Sequence, residues 1–406
     1  MEPSFANEVL LLVLVAAVVA MVSRRFSMPY SVGLVVTGMI LALLPLTPKI
    51  NLTRELIFDA LLPPLIFEAA FYLRWDQLSR EIPIVLTLAT AGVVVSGAVI
   101  AVGMHYVGGW AWPSAVVFGS LISATDPVSV IATLRDAQVH GRLRLLIESE
   151  SLFNDGTAAV AFGVAVLFSS GHVVTALEVG ANVLLVIAGA LLCGAGIAGI
   201  ALFLMGRTED HLIELTFTTV AAYASFLLAE QLHFSGVLAT IVAGLIIGNR
   251  GPFGILSDHG REAVQAFWEY AAFVANSLVF LLIGMQEAMQ NFEAVWMTCV
   301  FALLFVTLGR AAAVYPLSGL FARSGLRITA YQQHALFWGG LRGALALALA
   351  LGLPVELPQR SEIITVSFAV VAFSVFAQGL TMPRLLRAIG EIHRHDQTAS
   401  RRVAGQ

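Results

Sequence analysis

From residue 8 to residue 388 the sequence is a succession of apolar runs, each about 15 to 33 residues long, parted by short linkers rich in charge, proline or glycine. A bilayer's apolar core takes roughly 20 helical residues to cross, and an unpaired backbone group in lipid costs several kcal/mol. Runs of this kind therefore predict membrane-spanning helices. Thirteen are expected, at about 8–22, 30–45, 53–73, 82–106, 112–134, 143–170, 173–205, 211–230, 233–248, 263–288, 293–321, 330–352 and 361–388. Only 12% of the residues are charged, about half the share found in soluble domains.

An odd number of spans puts the termini on opposite sides. With the N-terminus outside, seventeen of the 22 Lys and Arg fall in inner loops or the C-terminal tail. Lys49, Arg54 and Arg360 fall outside, and Arg310 and Arg342 lie within spans. A miscounted span would reverse every later loop and erase this positive-inside asymmetry. Glu2 and Glu8 precede the first run and Arg24 and Arg25 follow it, the reverse of a cleavable signal's charge order, so a retained span is expected. Short loops and a short tail leave no room for a folded cytosolic domain. Residues 1–390 read as one polytopic membrane domain and 391–406 as a cytoplasmic tail.

A net charge of -4 and the lack of a GxxxxGK loop argue against nucleic acid and nucleotide hydrolysis. Cys193 and Cys299 lie inside apolar runs and read as packing residues. His211, His233 and His334 sit near span ends, without the spacing of a metal site.

A charged side chain near the middle of a spanning helix costs about 2.5 to 3.5 kcal/mol. In the sixth span Asp155 lies about 12 residues, or roughly 18 Å, from the inner end, near the midplane. Glu150, Ser151 and Asn154 fall with it inside a sector of about 140°, forming one polar stripe. Asn-Asp-Gly would mark a turn in a soluble protein, but here FGVAVLF continues the apolar run.

The fifth span is interrupted near its centre by Thr125, Asp126 and Pro127. Proline lacks a donor and pushes the residue before it out of helical geometry. Two midplane acids, Asp126 and Asp155, on successive helices suggest a cation site. Seven spans after the first break, WGGLRGALAL places glycines around Arg342, which looks like a second break in a half of opposite topology. Inverted repeats with discontinuous helices meeting at the midplane are the architecture of secondary transporters.

Arg310, in TLGRAAAVYP, is a second buried guanidinium, and such a group needs a carboxylate or carbonyl partner. Glu150 is the most economical partner for Arg310 or Arg342, leaving the other to offset helix-end carbonyls or Asp126. Glu68, in the third span, reads equally as a carboxylate reaching the interface or a neighbouring helix and as part of an ion path.

With these residues the chain resembles the monovalent cation:proton antiporters, in the NhaP-like branch that includes the animal sodium/proton exchangers, over nearly its whole length. The motifs are LLPPLIFEAAF (61–71), ATDPVSV (124–130), ESLFNDG (150–156), GLIIGNR (244–250) and GGLRGALALALAL (339–351). The resemblance implies an all-α integral membrane protein of about thirteen transmembrane helices, with inverted repeats whose discontinuous helices cross at the midplane, as in the NhaA/NhaP-like antiporter fold. It implies that Asp155 alternately holds a cation and a proton, with Asp126, Ser151 and Thr125 completing a Na+ site. Asn154 would be the neutral member of the Asn-Asp pair, which implies electroneutral exchange, and Glu150 would pair with a buried arginine. It also implies a homodimer, scaffold helices over about 1–75 and 173–290, and an ion-transporting core over about 82–170 and 293–388. The long cytosolic regulatory region of animal exchangers has no counterpart, so control through such a tail is not expected.

A buried charge crosses the membrane only when neutralised. One proton or one monovalent cation at Asp155, never both, would couple the two flows. The expected cargo is Na+, Li+ or K+ and H+, with no cofactor, in an inner membrane with the C-terminus cytoplasmic. A cation channel would use the same acids but needs a continuous aqueous path and a repeated filter, for which no loop is evident. An intramembrane aspartyl protease would place its acid in a Gly-x-Gly-Asp setting, whereas Leu152, Phe153 and Asn154 precede Asp155, so no enzyme is expected.

Overall fold

A computed structural model of the chain describes residues 5–26, 28–44, 52–126, 141–169, 175–250 and 258–388. The helices are α1 (Phe5–Phe26), α2 (Tyr30–Ala42), α3 (Leu62–Tyr72), α4 (Trp75–Tyr106), α5 (Trp112–Leu121), α6 (Arg142–Ser169), α7 (Ala176–Met205) and α8 (His211–Gln231). They continue with α9 (Gly236–Arg250), α10 (Asp258–Glu287), α11 (Trp296–Leu320), α12 (Ala330–Trp338), α13 (Ala344–Leu351), α14 (Arg360–Phe373) and α15 (Gly379–Ala388). All thirteen expected runs contain a helix, and among the described residues eight helical segments, α14 and α15 counted as one, are long and apolar enough to cross a bilayer unaided.

Local signals start several helices. Thr175 and Glu178 form a capping box on α7, Thr329 and Gln332 another on α12, and Asp210 accepts from the Leu212 amide at the head of α8. A π-helical turn over Leu56–Leu61 runs straight into α3, so Pro63 and Pro64 lie within a continuous helical stretch just after its irregular turn. Side chains on the outer faces are apolar: Leu14, Leu184 and Leu192 are 60%, 70% and 75% exposed, a surface suited to a bilayer interior. Trp75 and Tyr106, both exposed, stand at the two ends of α4, as interfacial aromatics do. The protein is a multi-pass membrane protein.

Two boundaries differ from expectation. α4 begins at Trp75 rather than near 82 and α10 at Asp258 rather than near 263. The charged residues there read as loops, but a helix that starts outside the apolar core carries charges in its first turns without penalty. Pro83, in the third turn of α4, does not end it.

The helices pack as two bundles. In one, α4 lies against α5, α6 and α11, and α11 against α12 and α14. In the other, α2 lies against α10, α3 against α9, and α7, α8 and α9 against one another, with α1 beside α2 and α10.

Two segments of the first bundle are discontinuous. α5 stops at Leu121 and the chain runs non-helically through Asp126; Pro127 and the rest of the fifth run lie outside the described residues. The twelfth run breaks between Trp338 and Ala344. The two breaks meet: the Asp126 amide donates to the Leu341 carbonyl at 2.8 Å in an antiparallel bridge. Among the described residues this is the one place where extended backbone pairs, and it satisfies groups that helix ends would otherwise leave open in an apolar interior.

Candidate functional site

α6 supplies the polar stripe. It runs unbroken through Asn154, Asp155 and Gly156, and Asp155 lies midway along its 28 residues. Gly156 is not a turn residue. A Cβ there would meet Leu238 Cδ2 at 2.3 Å, so the glycine lets α6 close on α9.

The crossing brings the other half of the site onto this stripe. Thr125, 1% exposed, places its Oγ1 3.0 Å from Ser151 Oγ, and the Ser151 hydroxyl also donates to the Thr125 carbonyl. The Asp126 carboxylate lies against the α-carbon of Gly343, at the head of α13. A Cβ on Gly343 would come 2.0 Å from Asp126 Oδ2. Asp155 is half-buried and sits in the electrostatic fields of Asp126 and Glu150. Thr125, Asp126, Ser151 and Asp155 thus gather hydroxyl, carbonyl and carboxylate oxygens, a donor set suited to a hard cation.

Glu150 faces the other way. Arg310 on α11 grips it through Nη1 to Oε1 at 2.8 Å and Nη2 to Oε2 at 3.0 Å, and Nη2 also donates to the Leu336 carbonyl at 2.8 Å. Asn154 Nδ2 adds a long bond to Glu150 Oε1 at 3.4 Å. Both charges are nearly sealed from solvent, Glu150 at 2% and Arg310 at 7% exposure, so only a bidentate pair with further hydrogen bonds offsets their desolvation. Arg342 turns back on its own break and donates from Nη1 to the Gly340 carbonyl at 2.5 Å. Of the two arginines, Arg310 is the one in the ion pair with Glu150. Glu68 is half-buried on α3, in the other bundle.

Between the bundles opens a cavity of about 1340 Å3. Phe71, Val242, Leu245 and Ile246 line one side and Val85, Leu86 and Phe153 the other, with Arg74, Asp76 and Arg261 also on its wall. Phe153 stands two residues before Asp155 on α6.

Two contributors were not foreseen from the sequence, Gly343 and the Leu336 carbonyl. The repeated glycines of GGLRG carried a signal for the first, since a glycine beside a break reads as close approach as well as flexibility. No one-dimensional signal marks a backbone carbonyl as a guanidinium's partner.

Residues 10–388 match the profile of a family described as sodium/hydrogen exchanger, transmembrane. The Na(+)/H(+) antiporter ApNhaP of Aphanothece halophytica is 37% identical over 381 residues, covering 93% of this chain and 73% of that protein. The Na(+)/H(+) antiporter NhaP of Pseudomonas aeruginosa is 35% identical over 353 residues, covering 82% and 81%. Among solved structures, an electron-microscopy map of the sodium proton antiporter MjNhaP1 from Methanocaldococcus jannaschii matches with a TM-score of 0.77 at 20% identity, covering 97% of this chain and all of that one. A likeness at that identity speaks for the fold.

Proposed function

The chain belongs to the sodium/hydrogen exchanger family, and from that premise we propose that it exchanges Na+, or Li+ or K+ in its place, for H+, one for one, at Asp155. The observation that carries this reading is the division of labour along α6. Glu150 is held by Arg310, whereas Asp155, on the same stripe, is in no ion pair among the described residues and lies in the field of Asp126 at the helix crossing. Asp155 takes up one positive charge at a time, proton or metal ion, so the two loaded states carry the same net charge across the membrane. Asn154 cannot supply a second titrating charge, which supports electroneutral exchange.

In this reading the bundle of α4–α6 and α11–α15 moves against a scaffold of α1–α3 and α7–α10. The cavity between them supports a form open toward the side of Arg74 and Arg261, the cytoplasmic side if the N-terminus is outside. The protein would be a homodimer joined through the scaffold, in an inner membrane, serving sodium and pH homeostasis without a resident cofactor.

Proteoliposomes with an imposed pH gradient test this. Adding Na+ should collapse the gradient at a rate unaffected by clamping the membrane potential. A rate that follows the clamped potential would overturn one-for-one exchange. Since H+ and Na+ compete for one carboxylate, lowering the pH should raise the apparent KM for Na+ by up to about tenfold per pH unit with the maximal rate unchanged. A KM independent of pH would contradict the competition.

Gly343→Ala tests the crossing. The new methyl would meet the Asp126 carboxylate, with Oδ2 2.0 Å from the Cβ position, and must displace it. Exchange should fall about 100-fold, the cost of an ångström-scale misplacement, while the melting temperature falls little.

A further inference from the structure

The motif GLIIGNR has no place in the site, yet its geometry is specific. Gly244 and Gly248, one turn apart on α9, bring that helix against the backbone of α3. A Cβ at Gly248 would lie 2.1 Å from the Phe71 carbonyl oxygen. The next residue, Asn249, is half-buried at the end of this contact. Its Oδ1 accepts from the Trp75 amide at 2.7 Å, and its Nδ2 donates to the Leu73 carbonyl at 2.8 Å and to the Leu245 carbonyl at 2.8 Å.

Leu73 closes α3 and Trp75 opens α4. The residue that caps α4, Arg74, makes no side-chain bond to the helix head, and its guanidinium is engaged with Asp76 at 2.9 Å. A helix start needs acceptors for its first amides. Here one is delivered from a helix more than 170 residues further along the chain. One carboxamide therefore holds both sides of a two-residue joint.

That joint is where the chain passes from the α3 bundle into the α4 bundle. Leu73, Trp75, Gly248 and Asn249 also line the cavity between the two. We propose that Asn249 is a positioning residue for transport. It pins the joint to the scaffold, so that the moving bundle turns about residues 73–75 without pulling on the end of α3. The inference rests on the alternating-access reading above. Its chemistry is selective, because only a carboxamide presents a donor and an acceptor side by side at this length. An aspartate of the same shape keeps the acceptor for Trp75 but sets a carboxylate against two carbonyls.

The full chain in proteoliposomes tests this with Asn249→Asp. The expected result is an about tenfold lower maximal rate of Na+/H+ exchange with the KM for Na+ within about twofold of wild type, the size of one or two lost hydrogen bonds at a moving joint. The melting temperature should fall by no more than a few degrees, the cost of the lost bonds. Should Asn249→Asp not accumulate as folded protein, Asn249→Ala is read in the same way, since it removes all three bonds and adds no charge. A wild-type maximal rate in the folded variant overturns the assignment, as does a loss of rate that comes with a fall in melting temperature beyond a few degrees or with a rise in KM. If the wild type itself exchanges no Na+ for H+, the exchange reading falls; if the wild type exchanges and Asn249→Asp keeps pace, only the joint does.

Discussion

Asp155→Asn should reduce cation-driven collapse of a pH gradient to the level of protein-free vesicles, in a protein that is made, inserted and folded like the wild type. The substitution is nearly isosteric, so α6 keeps its packing against α9 at Gly156 and the Glu150–Arg310 pair is untouched. What disappears is the charge. A carboxamide is an uncharged, weaker ligand for a hard cation and takes up no proton at working pH, so the site loses both its hold on Na+ and the H+ it would trade for it. The melting temperature of the variant should equal or exceed that of the wild type and should no longer rise on adding Na+, since stabilisation by a ligand requires binding to the folded state. Cation-dependent collapse persisting in this variant would remove Asp155 from the mechanism.

The second large effect is on folding. Glu150→Ala leaves Arg310 charged and sealed from water, and Arg310→Ala leaves Glu150 in the same condition. Breaking one side of a buried pair costs about 3 to 5 kcal/mol, enough to unfold many proteins. Arg310→Ala should be the worse of the two, because it also abandons the Leu336 carbonyl at the end of α12. Size-exclusion profiles and melting temperatures in detergent would register both losses. Replacing the two together, Glu150→Leu with Arg310→Met, should recover much of the stability, since no lone charge then remains. Single variants as stable as the wild type would show that the pair does not hold α6 to α11.

The spans were legible because lipid imposes one rule on every run, that its backbone be paired within helices. The second break was legible too, from glycines flanking a charge at a depth where neither is favoured. The Asp126–Asp155 neighbourhood followed from depth alone, since each acid could be counted from the nearer end of its run. Arg310 and Arg342 could not be told apart this way, because both sit in apolar runs and only the approach of α11 to α6 decides between them. Asn249 shows the same limit of one-dimensional reading. As the next-to-last residue of an apolar helix it looks like an interfacial polar group, and two of its three partners, Leu73 and Trp75, lie more than 170 residues away. The head of α4 misled for a simpler reason, since Asp76, Arg80 and Glu81 look like loop residues until the helix is seen to outrun the apolar core.

The most direct test of a single carboxylate shared by two cations is the proton balance of Na+ binding. Purified protein in weakly buffered detergent solution, below the pH at which the site empties of protons, should release one H+ for each Na+ bound, and Asp155→Asn should release none. Na+ binding with no proton release, or release undiminished in Asp155→Asn, would contradict the account.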